Sequence, residues 1–243
     1  MNRLLIASID RFGPIRPSTR RGLERCSQSI AKIAAGGSVV RRGQRCRLTV
    51  LASGIALHSV ALKGGERQIV GIAVPGDVVD LDGLFAGVEH EIQALSPCTV
   101  RQTTFGECQA LVASHPDLLA ALSRAAQAQA SRQRDWLVSL GRRSATARAA
   151  HLFCEVYSRL QSVSLVEADR CEFPAYQADI ADALGLSIVH TNRVLVSLRK
   201  AGLACLQNGA LRVPDLERLA EAADYAPGAP QLSPYSIRLS QIA

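Results

Sequence analysis

The sequence predicts an α+β fold, with a roll of short antiparallel strands in its first half and helices in its second half. Between Ser38 and about Thr104, short β-rich runs alternate with turn signals such as Pro75-Gly76-Asp77. From Pro116 onward, apolar residues instead recur at helical spacing. Short strands at regular spacing are typical of a jelly-roll-like roll or a sandwich, so we expect residues 1–115 to form one β-roll domain.

The roll is expected to begin after a short helical lead-in over residues 1–37, which Gly36-Gly37 ends. Turn signals then separate the β-rich runs, and glycine supplies most of these reversals. The predicted strands are 39–42, 47–52, 55–62, 68–74, 78–81, 92–96 and 99–104.

A single long helix is predicted over residues 116–140, because no internal Gly or Pro interrupts the helical period. One stripe of this helix consists of Leu118, Leu122, Ala125, Gln129, Trp136 and Leu140. Its small residues would allow a second copy to approach closely, which predicts a two-fold, coiled-coil-like dimer contact. Packing of the stripe on its own domain is the alternative. Gly141 predicts a hinge at the end of the segment 116–141.

Residues 177–203 have the pattern of two helices joined by a short turn. The first helix, Gln177–Leu184, is followed by Gly185, which suits the left-handed conformation at a helix C-terminus. Ser187 stands at the N-cap position of a second helix, Ile188–Lys200. Two helices joined by so few residues, with a glycine among them, indicate a helix-turn-helix.

The second helix of this motif has an outward face on which apolar groups stand beside an amide and a guanidinium. Val194 and Leu198 are predicted to point inward. The outward residues are Ile188, Val189, Asn192, Arg193 and Val196. This combination suits a DNA major groove, where Arg pairs with guanine, Asn pairs with adenine and aliphatic groups contact thymine methyls. An ordinary helical hairpin with a polar outer face is the alternative interpretation.

The segment before the motif begins a domain that we expect to span residues 142–225. Ser144 is expected to cap a helix that runs to about Leu160. Residues 161–173 are expected to form a polar loop that leads into the motif.

The segment after the motif predicts a wing, so that the whole domain is a winged helix-turn-helix. Asn208-Gly209 favours a type I′ turn between two short strands. Asp215 is expected to start a last helix that runs to about Ala223. The tail 226–243 contains three prolines and is expected to be mobile.

Composition narrows the class of protein. The net charge of +7 and the isoelectric point of about 9.3 fit a polyanionic partner, although many soluble proteins are equally basic. No apolar run approaches the ~18 residues of a membrane-spanning helix, and the N-terminus lacks a signal-peptide pattern, so we expect a cytoplasmic location. The seven cysteines are dispersed without a C-x-x-C pair, which favours structural thiols over a disulfide framework or a metal site.

The order of these elements resembles bacterial transcription regulators of the Crp/Fnr superfamily over nearly the whole chain. LASGIALHSVALKGGERQIVGIAVPGDVVDLDGLF (51–85) is similar to the family's β-roll, including its Pro-Gly-Asp turn. DWLVSLGRRSATARAAHLFCEVYSRL (135–160) is similar to the end of the dimer helix, the hinge and the next helix. QADIADALGLSIVHTNRVLVSLRKAGL (177–203) is similar to the DNA-binding motif. The resemblance implies a homodimer, joined through residues 116–140, that binds double-stranded DNA.

The resemblance and the groove chemistry together assign contacts within the motif. Arg193 is expected to make the main guanine contact, and the neighbouring bases are expected to be modulated by Ile188, Val189, His190 and Asn192. A partly buried helix position is the alternative for His190. Candidates for phosphate contacts, which position the protein without reading sequence, are Gln177, Ser187 and Arg199. The operator of a dimer is expected to be an inverted repeat.

Two residues of the motif depart from the family pattern. Tyr176 stands where members often carry a capping Thr, so the first helix is expected to be capped poorly. Val189 stands where well-studied members carry a Glu that accepts from cytosine, so the operator sequence is expected to differ.

The signal-input region that the resemblance implies consists of Gly76, Asp77, Leu81, Asp82, His90 and Glu91. Members that bind cyclic AMP carry a Glu near Leu81 and an Arg-Ser pair near His90-Glu91, and a carboxylate there would repel the phosphate. Members that hold an iron–sulfur cluster use an N-terminal cysteine group, whereas the first 45 residues here contain only Cys26. We therefore expect neither cyclic AMP nor an iron–sulfur cluster, and no other cofactor is predicted.

Two other interpretations concern the signal and the class of protein. In the first, the fold is the same, but a cavity of the roll, or Cys98 and Cys108, senses a small ligand or a redox change. In the second, the roll hosts metal chemistry as in cupins, but the five histidines are dispersed and no G-x-S-x-G, H-E-x-x-H or P-loop occurs. We therefore expect a regulator and not an enzyme. Activation of transcription would additionally require contacts with RNA polymerase.

Overall fold

Two units make up the structure, a computed structural model that describes residues 3–225. Among these residues, the first unit contains the stretches up to Ser59 and from Ala73 to Ser131. The second contains Val60–Ile72 and the chain from Arg132 onward. The predicted mobile tail, 226–243, lies outside the described residues. Within the described part, no helix is both long and apolar enough to cross a membrane.

The first half of the chain combines two antiparallel sheets with four helices. The strand orders are β1-β7-β3 in one sheet and β2-β6-β4-β5 in the other. The elements are α1 (Arg3–Asp10), α2 (Pro17–Arg25), β1 (Ser29–Ile33), β2 (Ser38–Val40), β3 (Val50–Ser53), β4 (Ala56–Ala61), β5 (Arg67–Ala73), a 3-10 turn (Leu81–Leu84), β6 (Glu91–Ala94), β7 (Cys98–Gln102), α3 (Phe105–Ser114) and α4 (Pro116–Arg142). The predicted α+β class with an N-terminal roll is therefore confirmed.

Three details of the roll differ from the sequence-based expectation. The lead-in is not helical throughout, because Ser29–Ile33 pairs with β7, a strand about 70 residues further along the chain. The predicted strand 78–81 is reduced to a single bridge between Val50 and Val78, followed by the 3-10 turn. The helix α3 was not predicted, although its capping box is visible in the sequence: Thr104 accepts from the backbone N–H of Glu107, whose carboxylate reaches back to Thr104.

A hydrophobic core unites the N-terminal helices with the start of α4. Leu5 and Ile9 of α1 and Leu23 of α2 are fully or almost fully buried in the same cluster as Leu118 and Leu122 of α4. Each large aliphatic side chain buried in this way contributes roughly 1.5–3 kcal/mol. The helical lead-in is thus part of the core of the first unit.

The long helix α4 corrects two expectations. Gly141 does not interrupt it, since the helix continues to Arg142, and the break lies between Arg142 and the start of the next helix. The predicted dimer stripe is also largely buried within the chain: Leu118, Leu122 and Ala125 belong to the core of the first unit, and the Trp136 indole donates to the Glu155 carboxylate in the second. The exposed residues of α4 form a different stripe, described below.

The second unit is built on α5, against which α6, α7 and α8 pack. Its small antiparallel sheet has the strand order β10-β11-β9-β8. The elements are α5 (Ala145–Ser162), β8 (Val166–Glu167), β9 (Arg170–Glu172), α6 (Gln177–Leu184), α7 (Ile188–Lys200), β10 (Cys205–Gln207), β11 (Ala210–Arg212) and α8 (Leu216–Ala223).

The predicted polar loop 161–173 is wrong in one respect, because it contains the hairpin β8–β9. In this hairpin β9 pairs with β11, with Cys171 opposite Leu211, and both of these residues are buried. β8 pairs with β9 next to it in the chain, whereas the other partner of β9, β11, lies about 40 residues away, so the sheet that holds this hairpin could not be inferred from the local sequence. As predicted, the Ser144 hydroxyl accepts from the backbone N–H of Ala147 and caps α5.

Candidate nucleic-acid interface

The two helices of the motif are held together by a buried apolar contact. Ile180 and Leu184 of α6, and Val194 and Leu198 of α7, are each at most 4% exposed. Thr191, about one turn before Val194 on the same face of α7, is also buried. The predicted inward face of the second helix is thus confirmed, and this packing fixes which side of α7 faces outward.

The turn between the helices has the geometry that the sequence indicates. Gly185 adopts a left-handed conformation, with φ 62° and ψ 42°. The Ser187 hydroxyl accepts from the backbone N–H of His190 at 3.2 Å, as an N-cap should. Both helix boundaries, Gln177–Leu184 and Ile188–Lys200, agree with the prediction.

The N-terminus of α6 is capped in an unexpected way. The Tyr176 side chain makes no capping hydrogen bond, as predicted. The carboxylate of Asp179, three residues later, instead accepts from the Tyr176 backbone N–H at 3.0 Å. Asp179 therefore stabilises the helix end. A carboxylate at the third position of a helix is a capping signal that is visible in the sequence.

The outward face of α7 presents the predicted contact residues to solvent. Ile188 and Val189 are 54% and 63% exposed, which is unusual for aliphatic side chains on a folded domain. His190 is exposed as well, so the alternative of a partly buried histidine does not hold. All the predicted DNA-contact residues share this exposure: Gln177, Ser187, Ile188, Val189, His190, Asn192, Arg193 and Arg199.

Two of these residues are joined across the two helices. The Asn192 amide Nδ2 donates to the Gln177 amide oxygen Oε1 at 3.3 Å. Gln177 is the first residue of α6, whereas Asn192 lies on the outward face of α7. The contact therefore restricts the orientation of an amide that we expect to read a base.

A shallow concavity runs along α7 beside the predicted guanine-reading residue. It is lined by Thr146 of α5 together with Ser187, His190, Arg193 and Ser197. Hydroxyl, imidazole and guanidinium groups can all donate hydrogen bonds to phosphate or to base acceptors.

A second groove lies beside the wing and was not predicted. Arg170, Arg199 and Arg212 line it together with the Asn208 turn. Arg212 pairs with Asp169 at 2.6 Å. Asn208 and Gly209 both have positive φ, 52° and 74°, as a type I′ turn requires. The wing turn was predicted, whereas β9, which brings Arg170 to the groove, was not.

The predicted signal-input residues are divided by the structure into buried and exposed groups. Asp77 and Leu81 are buried and His90 is 9% exposed, whereas Asp82 and Glu91 are exposed. Gly76 has a φ of 91°, which suits glycine in the Pro-Gly-Asp turn. The structure therefore brings only part of this set together.

Asp77 stabilises the turn in which it lies. Its carboxylate accepts from the Val74 backbone N–H at 2.9 Å and pairs with Arg11 at 2.6 Å. The Arg11 guanidinium reaches it from just beyond the end of α1. Both oxygens of this carboxylate are thus engaged by groups of the protein itself.

His90 takes part in a short polar chain. Its Nε2 lies 2.7 Å from Nδ1 of His58, and its Nδ1 lies 3.4 Å from Asp82. Burial lowers the pKa of His90, and the negative charges of Asp82 and Glu89 oppose that effect. The imidazole at this position is therefore favoured in its neutral form.

Asp80 is a further buried carboxylate of the roll, which no sequence pattern singled out. It is fully buried and accepts from the backbone N–H groups of Arg47 and Thr49 at 2.7 and 2.9 Å, and from the Thr49 hydroxyl at 2.7 Å. Burial raises the pKa of Asp80, and these hydrogen bonds lower it. We refer to His58, Asp77, Asp80 and His90 as the buried polar residues of the roll.

The two cysteines named as a redox input make separate contacts. The Cys98 thiol donates to the carbonyls of Ser96 and Ile55 at 3.2 and 3.4 Å. Cys108 is instead buried in the core of the first unit, in the same cluster as Cys46. Among residues 3–225, no group of three His, Cys, Asp or Glu residues is arranged to hold a metal ion.

Comparison with known proteins agrees with this geometry. Residues 147–222 match the Crp-like helix-turn-helix domain family. The nitrogen fixation regulation protein FixK of Bradyrhizobium diazoefficiens is 32% identical over 160 residues, which cover 65% of this chain and 66% of that protein. The transcriptional activatory protein AadR of Rhodopseudomonas palustris is 30% identical over 170 residues, which cover 69% of this chain and 70% of that protein. This chain belongs to the Crp/Fnr family.

The fold of this Crp/Fnr regulator is shared with solved structures of the family. The structure of FixK2 from Bradyrhizobium japonicum superimposes with a TM-score of 0.73 at 20% identity, and the alignment covers 82% of this chain and 99% of that one. The resemblance inferred from the three sequence segments is therefore confirmed. Like its relatives, the protein is a DNA-binding transcriptional regulator.

Proposed function

We propose that this regulator binds an inverted-repeat operator as a homodimer, with α7 in the major groove of each half-site. The observation that carries the proposal is the outward face of α7, on which Arg193 and Asn192 are exposed beside two exposed aliphatic residues. Arg193 reads guanine, Asn192 reads adenine, and Ile188 and Val189 contact thymine methyls. A two-fold dimer places its two recognition helices about 34 Å apart, on successive turns of the groove.

The dimer contact is proposed to use the exposed stripe of α4. This stripe consists of Ala120, Ser123, Gln127, Arg134, Leu137 and Gly141, which follow one another at intervals of three, four or seven residues. Such spacing is the heptad pattern of a two-stranded coiled coil, and the small residues allow close approach. Leu137 is 71% exposed in a single chain, which a partner helix would explain.

Phosphate contacts are proposed on both sides of the recognition helix. Ser187 and Gln177 stand at the N-terminal ends of α7 and α6, where free backbone N–H groups also favour an anion. Arg199 stands at the other end of α7 and lines the basic groove beside the wing. These contacts hold the register of the protein on DNA and do not read sequence.

The roll is proposed to be the signal-input domain of a regulator that uses neither cyclic AMP nor an iron–sulfur cluster. In support, Asp77 and His90, which lie in the region where relatives bind cyclic AMP, are engaged by Arg11, Val74 and His58. A regulatory and not a catalytic role is proposed for the whole chain.

The decisive experiment is selection of bound sites from random DNA, performed with the full chain and with Arg193→Ala. We expect an inverted repeat for the natural chain. We expect Arg193→Ala to lose about 1–3 kcal/mol of specific binding and to relax one base position in each half-site.

Arg218→Ala is the matched control, because it removes the same charge from an exposed position on α8. It should keep the selected sequence. If Arg193→Ala and Arg218→Ala select the same sites with the same affinity, α7 is not the reading helix.

A further inference from the structure

The hairpin between β4 and β5 makes a two-pronged ion pair with the first helix of the DNA-binding motif. Arg67 Nη2 lies 2.7 Å from Oδ1 of Asp179, and Arg67 Nε lies 2.8 Å from Oδ2 of Asp182. The two carboxylates are three residues apart on α6 and therefore share one face of it. The Gln68 amide adds a hydrogen bond to the carbonyl of Ala183 at 3.4 Å.

This ion pair differs from an ordinary surface pair in geometry and burial. One guanidinium engages two carboxylates through separate nitrogen atoms, and this adds directional restraint to the charge attraction. The side chains of Arg67 and Asp179 are only 28% and 14% exposed. Partial burial reduces screening by water and salt, so the pair holds α6 more firmly than a fully exposed pair would.

Asp179 has a second partner, which connects the ion pair to the helix end. While its Oδ1 pairs with Arg67, its Oδ2 accepts from the Tyr176 backbone N–H. Because the Tyr176 side chain makes no capping hydrogen bond, Asp179 supplies the side-chain cap of this helix. Arg67 therefore orients the carboxylate that caps the N-terminus of α6.

The helix end that Asp179 caps also contacts the DNA-reading face. Gln177, the first residue of α6, accepts the hydrogen bond from Asn192. A continuous series of polar contacts thus runs from Arg67 through Asp179 and the first turn of α6 to Asn192 on α7. A shift of α6 would change both the orientation of Asn192 and the position of Gln177.

We propose that Arg67 is a positioning residue for DNA recognition, through which the hairpin Val60–Ile72 fixes α6 and thereby the amide of Asn192. The proposal rests on the proposed placement of α7 in the major groove. Arg67 also neutralises two carboxylates on a helix whose N-terminus faces phosphate, and these would otherwise repel DNA. Both effects act in the same direction, so loss of Arg67 weakens binding.

The test compares three variants of the full chain on the operator selected as described above. Arg67→Ala is expected to bind about five- to tenfold more weakly, as for loss of a residue in one coupled network. The loss should concentrate at the base position that Asn192→Ala relaxes. Lys63→Ala removes the same charge from an exposed position of the same hairpin and should bind like the natural chain. Arg67→Lys keeps the charge without the two-pronged geometry and should recover part of the affinity.

A double-mutant comparison separates positioning from simple loss of charge. In the Arg67→Ala background, Asp182→Asn should restore part of the overall affinity, because it removes one unpaired carboxylate. It should not restore discrimination at the position read by Asn192, since the ion pair that orients α6 remains absent. Thermal unfolding of each variant shows whether it is folded. If Arg67→Ala does not fold, Arg67→Lys takes its place in the comparison with the natural chain.

Two outcomes overturn the proposal. If Arg67→Ala and Lys63→Ala bind equally at every operator position, Arg67 does not position the motif. If Arg67→Ala binds more tightly than the natural chain, the hairpin restrains the motif instead of supporting it. Neither outcome contradicts the proposal that α7 reads the operator. That proposal is contradicted only if Arg193→Ala leaves specific binding unchanged.

Discussion

The outward face of α7 and the buried polar residues of the roll both carry polar side chains, but these differ in exposure and in their partners. On α7, Asn192 and Arg193 are exposed and stand beside exposed aliphatic residues. In the roll, Asp77 and Asp80 are buried, and hydrogen bonds or ion pairs within the protein engage them. The difference indicates that the polar groups of α7 are available to an external partner, whereas those of the roll maintain its own turns.

This comparison predicts that changes in the two regions have separate consequences. Substitutions of the buried carboxylates Asp77 and Asp80 should lower the free energy of unfolding, since they leave buried donors unsatisfied. Substitutions on the outward face of α7 should change DNA binding. They should change the free energy of unfolding by no more than about 0.5 kcal/mol, as is usual for exposed positions.

The largest expected effect is that of Asp80→Ala on stability. The substitution leaves two backbone N–H groups and the Thr49 hydroxyl without their buried acceptor. We expect the free energy of unfolding of the first unit to fall by about 3 kcal/mol or more. Urea unfolding followed by circular dichroism measures this loss.

Asp82→Ala is the matched control, because Asp82 lies two residues further along and is exposed. It should change stability by less than about 1 kcal/mol. The single tryptophan, Trp136, lies in the second unit, so its fluorescence reports unfolding of the DNA-binding unit separately. Equal losses for Asp80→Ala and Asp82→Ala would show that the buried hydrogen bonds of Asp80 do not stabilise the roll.

A smaller effect is expected for Arg199→Ala, which tests phosphate positioning. Binding should weaken by a similar factor for all DNA sequences, because a phosphate contact carries no sequence information. The slope of log affinity against log salt concentration should decrease in magnitude by about one unit. Measurement of affinity at several salt concentrations distinguishes this result from that of Arg193→Ala, which changes sequence preference. A changed base preference for Arg199→Ala would place this residue among the reading groups.

The smallest expected effect is the dependence of roll stability on pH through His90. Burial lowers the pKa of His90 in the folded protein below its usual value of 6.5, while Asp82 and Glu89 oppose the shift. As the pH falls below 6.5, the unfolded chain takes up the proton first. The stability contributed by neutral His90 is therefore complete above this pH and is lost as the pH falls through the folded pKa.

The check is urea unfolding at pH 7.5 and at pH 5.5 for the natural chain and for His90→Gln. The loss of stability at the lower pH should be smaller in the variant. His151 in the second unit also has a pKa lowered by burial, but it is present in both proteins and cancels in the difference. An equal pH dependence of both chains would mean that His90 is not held neutral by its surroundings.

The DNA-binding motif was predictable because its signals are local. Gly185 and Ser187 mark the turn through their own backbone and hydroxyl chemistry, and the apolar period fixes the inward face of α7. The family match over residues 147–222 covers this same region. In this motif each residue affects only neighbours within one or two helical turns. The local sequence is therefore sufficient to predict its helices and its turn.

Other features could not be read locally, because the partner lies far along the chain. β1 pairs with β7, and the local hairpin β8–β9 joins its sheet through the pairing of β9 with β11. For α4, the sequence analysis identified the stripe that begins with Leu118 and Leu122, but it left open whether that stripe meets a second copy or the chain's own core. The core contact of Leu118 and Leu122 leaves the other stripe exposed.

The sequence by itself determined the α+β class, the helix-turn-helix boundaries, the wing turn and the exposed reading face, since periodicity, caps and turn residues act over a few positions. The tertiary structure decided which face of α4 is free, which polar groups of the roll are already engaged, and how Arg67 meets α6. These depend on groups that lie far apart in the chain, such as Arg67 and Asp179, which are separated by 112 residues. Only the packing of the chain brings such groups to hydrogen-bond distance. A single long-range hydrogen bond produces no periodic pattern of residues from which it could be predicted.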